Sequence, residues 1–518
     1  MDIRKFTPRS SARGAWILFF LLTWLWASWW MGDSFRIARE QSFFAFDATL
    51  MHGLWQQPFG FLWIIGRAIL VLYRWPLLGG LVVALMLTGG TWLVAYCLRL
   101  RPDSRWHPLC YLPALAWMAW VAWIGLNIYF QAESGRPFGI LFLVVFICAI
   151  DAFVIWTFKK RGTHPAPSHQ DVSGKWMWSW TVVLVLLYLL PFAITHLRHP
   201  YQRPFTRMQV QLLHDDWQGI IQTAHDYAEL SYRPLAADYA IALIHTGRLA
   251  DDLFDIRLDY DTLLVKGYGN YPNVGTGLYQ IDCDYHAGLF RTATHHAVEH
   301  LTMMGPTLFS LKHLTRLALL DYDWPLARKY LLILKQAPFE GDFVARYEPM
   351  VGHSELVDAD PVFAQLRLTE PVNDAFEGQF EDPSFLGYTA TMMVGRSKEA
   401  LMQSLMACLY SKRMPDFLMR CQPLVGATLP RSVAEGLVTQ VSKEPDILKV
   451  FPQLNMNAQM FQNFIRTNQF AFKDRPTYAR KLFNTYKGYY PYYYFFGNLK
   501  ATRKRSDEEH GGSKAGVN

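Results

Sequence analysis

Hydrophobic and polar positions divide the chain into two unlike halves. Before Thr195 the apolar residues form long unbroken runs, whereas beyond residue 204 they recur at the spacing that puts them on one face of a helix. The alternation typical of β-strands is scarce. The pattern predicts an all-α protein: an N-terminal transmembrane helix bundle over residues 1–195, followed by a soluble helical domain over residues 196–500.

Five apolar runs are long enough to cross a bilayer, whose hydrocarbon core of about 30 Å needs roughly 20 helical residues. The predicted spans are residues 14–31, 77–98, 108–130, 137–158 and 176–195. The shorter run 59–73 carries Arg67 and predicts a helix along the membrane interface, with Arg67 and Arg74 reaching lipid head groups. The prolines of residues 196–204 end the last span and mark the domain boundary.

The basic residues are unevenly shared between the loops. With a cytoplasmic N-terminus, the inside segments 1–13, 99–107 and 159–175 hold 11 Lys or Arg in 39 residues. The outside segments 32–76 and 131–136 then hold 5 in 51 residues. Because cytoplasmic loops are the basic ones, this orientation is favoured. Five crossings would place the C-terminal domain in the periplasm, outside the inner membrane of a bacterium.

The soluble half repeats one order of features: an apolar helix, a tight turn, a bulky residue and a second helix. Copies surround Gly247, Gly288 and Tyr322, an earlier one places Trp217 at its turn, and a degenerate one covers 409–421. Ala293 and Ala327 hold the same place after their turns and are 34 residues apart, the tetratricopeptide (TPR) period. Residues 255–280 read as an inserted loop, 339–390 as irregular, and the charged tail 501–518 as disordered.

Composition limits the kinds of binding site that the sequence can form. The six cysteines show no metal-binding spacing, although a Cys408–Cys421 bridge is possible. The net charge of +7 lies largely in loops that set topology, so no nucleic-acid partner is expected. No cofactor motif is found. The aromatic run Tyr489–Phe496 predicts a capping helix of the repeat stack.

One string has the form of a metal site. His296, Glu299 and His300 match HxxEH, in which two histidines one turn apart could hold zinc beside a glutamate base. The string also falls in the second helix of the clearest repeat, where an ordinary packing helix is expected. The packing interpretation is favoured, and no metal is predicted.

A second candidate site lies after the first span. Asp33, Glu40 and Asp47 follow it in a polar loop, where a carboxylate could act as general base toward an acceptor hydroxyl. Membrane glycosyltransferases that use polyprenyl-phosphate sugars look similar at this point. The alternative is a solvated loop whose acids pair with Arg36 and Arg39.

The whole chain resembles a family of uncharacterised bacterial multi-pass membrane proteins with a TPR-like C-terminal half. The stretches that carry the resemblance are EQSFF at 40–44, YRWPLLGGL at 73–81, ATHHAVEHL at 293–301, LARKYLLILK at 326–335 and TYKGYYPYYYFF at 485–496. The turn glycine that such repeats usually have is replaced by Tyr322. The resemblance implies membrane-spanning helices followed by a TPR-like C-terminal half, and it implies no particular activity.

These observations favour a membrane-anchored scaffold that binds a protein partner through its TPR-like domain. A transferase acting on a lipid-linked substrate is the alternative, and a zinc peptidase is a weaker one. A transferase needs Asp33, Glu40 or Asp47 to line a cavity at membrane level, and a peptidase needs His296 and His300 to point into one. The expected partners are the lipid bilayer and a protein.

Overall fold

The computed structural model describes residues 10–100, 104, 106–125, 134–159, 174–230, 232–258, 281–372 and 397–497. In these residues helix is the sole regular secondary structure. The chain divides into two compact units. The first unit comprises Met1–Thr206, His300–Thr315 and Arg328–Glu348, and the second comprises Arg207–Glu299, Arg316–Ala327 and Pro349–Asn518.

The N-terminal region contains eight described α-helices. They are α1 Ser10–Leu25, α2 Gly32–Glu40, α3 Ala48–Trp55, α4 Gly60–Val71, α5 Pro76–Cys97, α6 Leu112–Ile124, α7 Arg136–Lys159 and α8 Gly174–Arg198. A π-helix, Trp26–Trp30, joins α1 to α2, and 3-10 turns at Leu72–Arg74 and His107–Tyr111 precede α5 and α6. Asp47 begins α3 as its N-cap, because its carboxylate accepts hydrogen bonds from the first backbone amides.

Three helices are long and apolar enough to cross a membrane: Pro76–Cys97, Arg136–Thr157 and Trp180–Arg198. They correspond to the predicted spans 77–98, 137–158 and 176–195. Gly14–Trp30 and Gly32–Glu40 meet the same test together, but they are bent by 56° where the π-helix ends. The described residues therefore hold three or, if the bent pair is one span, four such helices.

One prediction for the remaining apolar runs needs correction, and one falls partly outside the described residues. In the predicted span 108–130, the 3-10 turn His107–Tyr111 runs directly into the 13-residue α6, and residues 126–130 lie outside the described residues, so the span stays a prediction. Helix α4 covers most of 59–73, but Arg67 is 4% exposed and donates to the carbonyl of Phe43 at 3.4 Å. Arg74 donates to Asp342 at 2.8 Å. Both arginines therefore donate hydrogen bonds to protein oxygens, and the prediction that they reach lipid head groups is wrong.

Aromatic rings and glycines pack the first unit. Phe35 of α2 is fully buried, with Tyr73 and Phe138 at ring-centroid distances of 4.9 and 5.0 Å and Trp26 at 6.1 Å. Gly66 of α4 faces the backbone at the start of α7 so closely that a Cβ atom would collide with it. Small residues at such crossings let helix backbones approach, as is common between membrane helices.

The remaining described helices lie in the C-terminal region. They are α9 Gln202–Leu212, α10 Trp217–Asp226, α11 Arg233–His245, α12 Leu249–Asp252, α13 Phe290–Met304, α14 Leu308–Leu320, α15 Trp324–Lys335, α16 Gly341–Tyr347, α17 Ser354–Ala359, α18 Pro361–Leu368, α19 Lys398–Tyr410, α20 Met414–Arg420, α21 Arg431–Val438, α22 Ile447–Val450, α23 Asn455–Thr467, α24 Arg475–Tyr486 and α25 Tyr490–Phe496. Residues 281–286 are also helical.

One turn geometry recurs between these helices. The residue after a helix takes a positive φ, and the next amide donates back to the carbonyl five residues earlier, which is the Schellman helix end. The turn residues and their φ angles are Asp215 54°, Gly247 68°, Gly288 79°, Tyr322 56° and Lys412 56°. The returning hydrogen bonds measure 2.8–3.0 Å, as from Leu289 to Asp284 and from Asp323 to Ala318. A new helix begins within two residues of each turn.

The predicted helix–turn–helix segments around Gly247, Gly288 and Tyr322 are therefore present as helical hairpins. Tyr322 adopts the left-handed conformation without a glycine, and its hydroxyl donates to Asp358 at 2.5 Å. Most of the predicted loop 255–280, the segment 373–396 and the tail 501–518 lie outside the described residues. Between 341 and 368, where an irregular segment was predicted, α16–α18 are short helices. Cys408 and Cys421 are free thiols.

Candidate functional site

The three acids that follow the first span have different surroundings. Asp33 is half-buried in the first turn of α2. Glu40 ends α2 and is 5% exposed. Asp47 accepts from the amides of Thr49 and Leu50 at 2.7 and 3.2 Å. Asp47 therefore has a capping role, and Glu40 is the one of the three that is enclosed by protein.

Glu40 belongs to a ring of four buried charges in the first unit. The guanidinium of Arg39 reaches Glu40 at 2.5 Å and also contacts Glu340. The ammonium of Lys312 lies 2.8 Å from a carboxylate oxygen of Glu40 and 2.8 Å from one of Glu340. Each cation thus contacts both carboxylates, so the ring is closed and its formal charge is zero. The Arg39, Glu40 and Glu340 side chains are at most 6% exposed, and that of Lys312 is 15% exposed.

This charge ring joins residues that are about 270 to 300 positions apart. Beside it, the amide of Leu308 donates to the carbonyl of Ser42 at 3.0 Å. Within the first unit, the ring and this hydrogen bond connect the polar helix α2 to Leu308, Lys312 and Glu340. A buried charge is tolerated when its partners and hydrogen bonds surround it, and this ring supplies both.

The ring makes Glu40 a poor general base. Two cations on one carboxylate stabilise its ionised form and so weaken its affinity for a proton. The cavity found among the apolar helices also lies elsewhere. It measures about 90 Å³ and is lined by α5, α6 and α7 through residues such as Gly90, Trp117 and Val145, with none of Asp33, Glu40 or Asp47. The geometry thus gives these acids capping and ion-pairing roles.

The residues of the HxxEH string have separate partners. His296 Nδ1 lies 2.8 Å from Asp284 Oδ2 in the second unit. His300 Nδ1 lies 2.7 Å from Ser310 Oγ in the first unit. Glu299 is exposed. Among the residues that the structure describes, no group of three or more His, Cys, Asp or Glu side chains is arranged to hold a metal ion.

The second unit gathers further buried acids and histidines around residues 281–286. His286 Nδ1 lies 2.8 Å from His245 Nε2, and the His245 ring stacks on Trp217 with centroids 4.0 Å apart and planes at 5°. Burial lowers the pKa of His245 to about 4. The neutral form of His245 is therefore favoured, and its Nε2 can share one proton with Nδ1 of His286.

The pKa values of two other buried groups in the second unit, His296 and Asp238, are raised. Burial lowers the pKa of His296, but the hydrogen bond and charge of Asp284 outweigh it, so that this pKa is raised. Asp238 is fully buried and receives two hydrogen bonds from the Gln209 amide, at 2.9 and 3.0 Å. Burial raises the pKa of Asp238, and the nearby Asp282 raises it further. Such pairs can hold and exchange protons, which is also common in purely structural networks.

Sequence analysis did not find Lys312 and Glu340, nor the roles of His245 and Asp238. Lys312 is an ordinary-looking charge on a helix and Glu340 directly precedes one, and their partners Arg39 and Glu40 lie about 270 to 300 residues earlier, at the end of α2. The histidines and acids near 284 lack the regular spacing of a motif. The Arg39–Glu40 pairing was predicted, but as a solvated contact, whereas the structure buries it.

The fold and these sites define a class: an all-helical protein with three or four apolar helices that could span a membrane. A family of unknown function (DUF6057) matches residues 7–190 and 119–497. The chain therefore belongs to that family, which confirms the predicted relationship to an uncharacterised family. No curated protein and no solved structure matches the chain.

Proposed function

We propose that the chain is a membrane-anchored scaffold whose C-terminal helical hairpins bind a protein partner in the bacterial periplasm. The observation that carries the proposal is the recurrent hairpin, with turns at Gly247, Gly288, Tyr322 and Lys412 of the same geometry. Stacked helix pairs of the TPR kind bury each other's apolar faces and leave extended surfaces, which such proteins use to bind other proteins. The apolar helices of the N-terminal region supply the anchor.

The charge ring supports the scaffold interpretation over the transferase. It holds Glu40 between two cations and leaves it a structural partner of Lys312 and Glu340. The peptidase alternative has no geometric support, because His296 and His300 bind different residues.

Site-specific photo-crosslinking in living cells tests this function. A photoreactive amino acid would replace Leu213, Val298 or Met419, which are 42%, 38% and 60% exposed in the hairpin region. We expect a discrete protein adduct of the full-length chain at one or more of these positions. The matched control is Leu186 in α8, which is 61% exposed in an apolar helix and should yield no protein adduct. Equal labelling at Leu186 and at the hairpins, or no adduct anywhere, would contradict the scaffold.

A further inference from the structure

The positive charge of the protein is concentrated near its C-terminal end. Residues 447–487 contain seven Lys or Arg and one acid, a net charge of +6 in a chain whose total is +7. The acid, Asp474, caps α24 by accepting from the amide of Thr477. It is therefore committed to the helix end, and the excess of cations defines a basic surface over α23 and α24.

The cations of α24 and its flanks are available for a partner. Lys473, Arg480, Lys481 and Lys487 are exposed. Among the described residues none of them forms an ion pair, whereas Lys449 at the edge of the surface pairs with Asp446 at 2.6 Å. Two of the cations on α24 also contact aromatic rings: the Arg475 guanidinium lies 5.4 Å from the ring centre of Phe472, and the Lys481 ammonium lies 5.2 Å from that of Tyr478. At the rim, Asn484 donates to Glu229 at 2.8 Å.

Helix α23 presents an exposed methionine face beside these cations. Met456 and Met460 are 72% and 54% exposed, and Asn463 and Thr467 continue the same face at helical spacing. This face is bordered by Phe464, one turn after Met460, which is 3% exposed and whose ring packs edge-on to Tyr486 at 5.0 Å.

The two helices are neighbours in the second unit. The amide of Asn468, just after α23, donates to the hydroxyl of Tyr486 in α24 at 3.0 Å. The helix that carries the methionines and the helix that carries Arg480 and Lys481 therefore contact each other within the second unit. Methionine side chains are unbranched and polarizable, so an exposed pair accommodates apolar side chains of varied shape.

We propose that α23 and α24 bind an acidic amphipathic helix of the protein partner. The apolar side chains of that helix would pack on Met456 and Met460, and its carboxylates would approach Arg480, Lys481 and Lys487. This mode, in which an amphipathic helix lies on an apolar face with charged edges, is widespread in peptide recognition. The inference rests on the scaffold function proposed above and specifies the surface and the chemistry of the partner.

A lipid surface fits these residues less well. Helices that enter an anionic bilayer present large apolar side chains such as Trp, Phe and Leu to it. The exposed face of α23 instead pairs two methionines with Asn463 and Thr467, and the bordering Phe464 is already buried in the fold. Polar uncharged groups beside methionines suit a protein surface, where each can find a hydrogen bond.

Binding of a defined peptide to the full-length chain tests the proposal. The chain would be held in nanodiscs of neutral phosphatidylcholine, and the probe would be a fluorescent helical peptide of about 20 residues with leucines on one face and glutamates on the other. The control probe carries lysine in place of glutamate. We expect the glutamate peptide to bind more tightly than the lysine peptide, and its affinity to fall with rising salt.

Three variants make the result specific. Arg480→Glu with Lys481→Glu, and separately Met456→Ser with Met460→Ser, should each weaken the glutamate peptide by about tenfold. Lys398→Glu, an exposed charge reversal on α19, should change the affinity by less than about twofold. These side chains are on the surface, and an unchanged unfolding midpoint of each variant would show that it still folds.

The alternative outcomes are distinct. If both peptides bind equally, or if neither double variant weakens binding, the proposed surface is wrong. The chain could bind phosphatidylglycerol vesicles and neither peptide. If Arg480→Glu with Lys481→Glu then abolishes vesicle binding, the surface binds lipid instead. A protein adduct at Leu213, Val298 or Met419 together with failure here would retain the scaffold and reject this surface alone. Absence of adducts together with specific peptide binding would reject the hairpins as the binding region.

Discussion

For buried charged residues, the protonation state and the effect on stability depend on the groups that surround them. The charge ring encloses Glu40 and Glu340 between Arg39 and Lys312, all in the first unit. In the second unit Glu435 of α21 is 6% exposed and accepts from the amide of Tyr490 at 2.8 Å. The ring is balanced by its own members, whereas burial dominates at Glu435. The two sites should therefore respond differently to substitution and to pH.

The ring should be sensitive to charge balance rather than to the number of ion pairs. Lys312→Met would leave two buried carboxylates facing Arg39 alone, and breaking a buried ion pair typically costs about 3–5 kcal/mol. Adding Glu340→Gln restores a neutral set, so the double variant should be more stable than Lys312→Met. The unfolding midpoint of the full-length protein in detergent measures both.

An exposed ion pair supplies the control for the ring. Lys335 lies 3.5 Å from Glu348, with both side chains more than half exposed. Lys335→Met should therefore cost less than about 1 kcal/mol. A double variant no more stable than Lys312→Met would show that charge balance does not govern this site.

Glu435 should make the second unit less stable as pH rises. Burial raises the pKa of Glu435 from 4.5 to about 7, although Tyr490 and Arg431 oppose the shift. The folded protein thus binds the proton more tightly than the unfolded chain. Its stabilising effect is complete below pH 4.5, declines as pH rises toward 7 and is absent above that. At about 1.4 kcal/mol per pKa unit, the difference is roughly 3 kcal/mol.

Glu435→Gln tests this dependence, because the amide oxygen can still accept from Tyr490. Relative to wild type, the variant should gain stability between pH 5 and pH 8, measured as the shift of its unfolding midpoint. Glu444→Gln, at an exposed position, is the control and should leave the pH profile unchanged. Parallel profiles for Glu435→Gln and wild type would mean that Glu435 ionises normally.

At the scale of helices, the repeated turn is the unit that organises the C-terminal region. Each turn reverses the chain within a few residues through one left-handed residue and one returning hydrogen bond. Gly247 and Gly288 satisfy that conformation without strain, whereas Tyr322 and Lys412 adopt it with a side chain. The two glycine turns differ in their surroundings: the backbone of residues 369–370 lies close to Gly288, whereas no atom lies within 4 Å of a Cβ atom built on Gly247.

Gly288→Ala should be more destabilising than Gly247→Ala. Both glycines have positive φ, 79° and 68°, so an alanine at either is strained by about 1 kcal/mol. A Cβ atom at Gly288 would also lie 2.6 Å from the backbone nitrogen of Glu370, whereas at Gly247 nothing lies within 4 Å. Unfolding midpoints of the two variants should therefore separate strain from collision. Equal losses would indicate that the 369–370 backbone moves away freely.

Ala327 offers a test of packing within the hairpin that begins at Tyr322. It lies in α15, five residues after the turn, and is fully buried, as is Ala293 five residues after Gly288. Ala327→Phe should push the surrounding helices apart, and overpacking of this kind typically costs about 1–3 kcal/mol. Lys335→Ala, on the exposed side of α15, should do little. An unchanged unfolding midpoint for Ala327→Phe would show that the site has room for a phenyl ring.

Local patterns were predictable at this scale, and long-range pairings were not. Glycine, the bulky residue after it and helical periodicity located the hairpins at Gly247 and Gly288, because all three signals act within a few residues. No glycine marks the left-handed turn at Tyr322, so that turn was predicted only from its position in the repeat. The charge ring could not be predicted, because a single sequence does not show that Glu40 meets Lys312 and Glu340 hundreds of residues later.

At the scale of the whole molecule, the first unit bears on membrane topology. At one end of its helices the guanidinium of Arg198 lies 3.6 Å from the ring centre of Trp123, and that of Arg203 lies 3.9 Å from Trp30. The ends of α8, α6 and the π-helix thus meet there. Trp117 of α6 donates to the carbonyl of Pro137, at the start of α7, at 2.9 Å. Toward the other end, Trp16 of α1 packs on His107 and Tyr111, which precede α6.

These contacts favour an alternating arrangement of α1, α5, α6, α7 and α8. The number of crossings decides on which side of the membrane the C-terminal region lies. With a cytoplasmic N-terminus, three or five crossings put that region in the periplasm, whereas four keep it in the cytoplasm. The asymmetry of 11 against 5 basic residues was counted for five crossings.

Paired reporter fusions determine the number of crossings. Alkaline phosphatase is active outside the cytoplasm and green fluorescent protein fluoresces inside it, so each would be fused after Leu100, after Ser134 and at the C-terminus. Five crossings predict fluorescence after Leu100 and phosphatase activity after Ser134 and at the C-terminus. If α6 does not cross, Leu100 and Ser134 must report the same side, since they flank that helix. A fluorescent, phosphatase-inactive C-terminal fusion would require an even number of crossings, and the hairpins would then meet their partner in the cytoplasm.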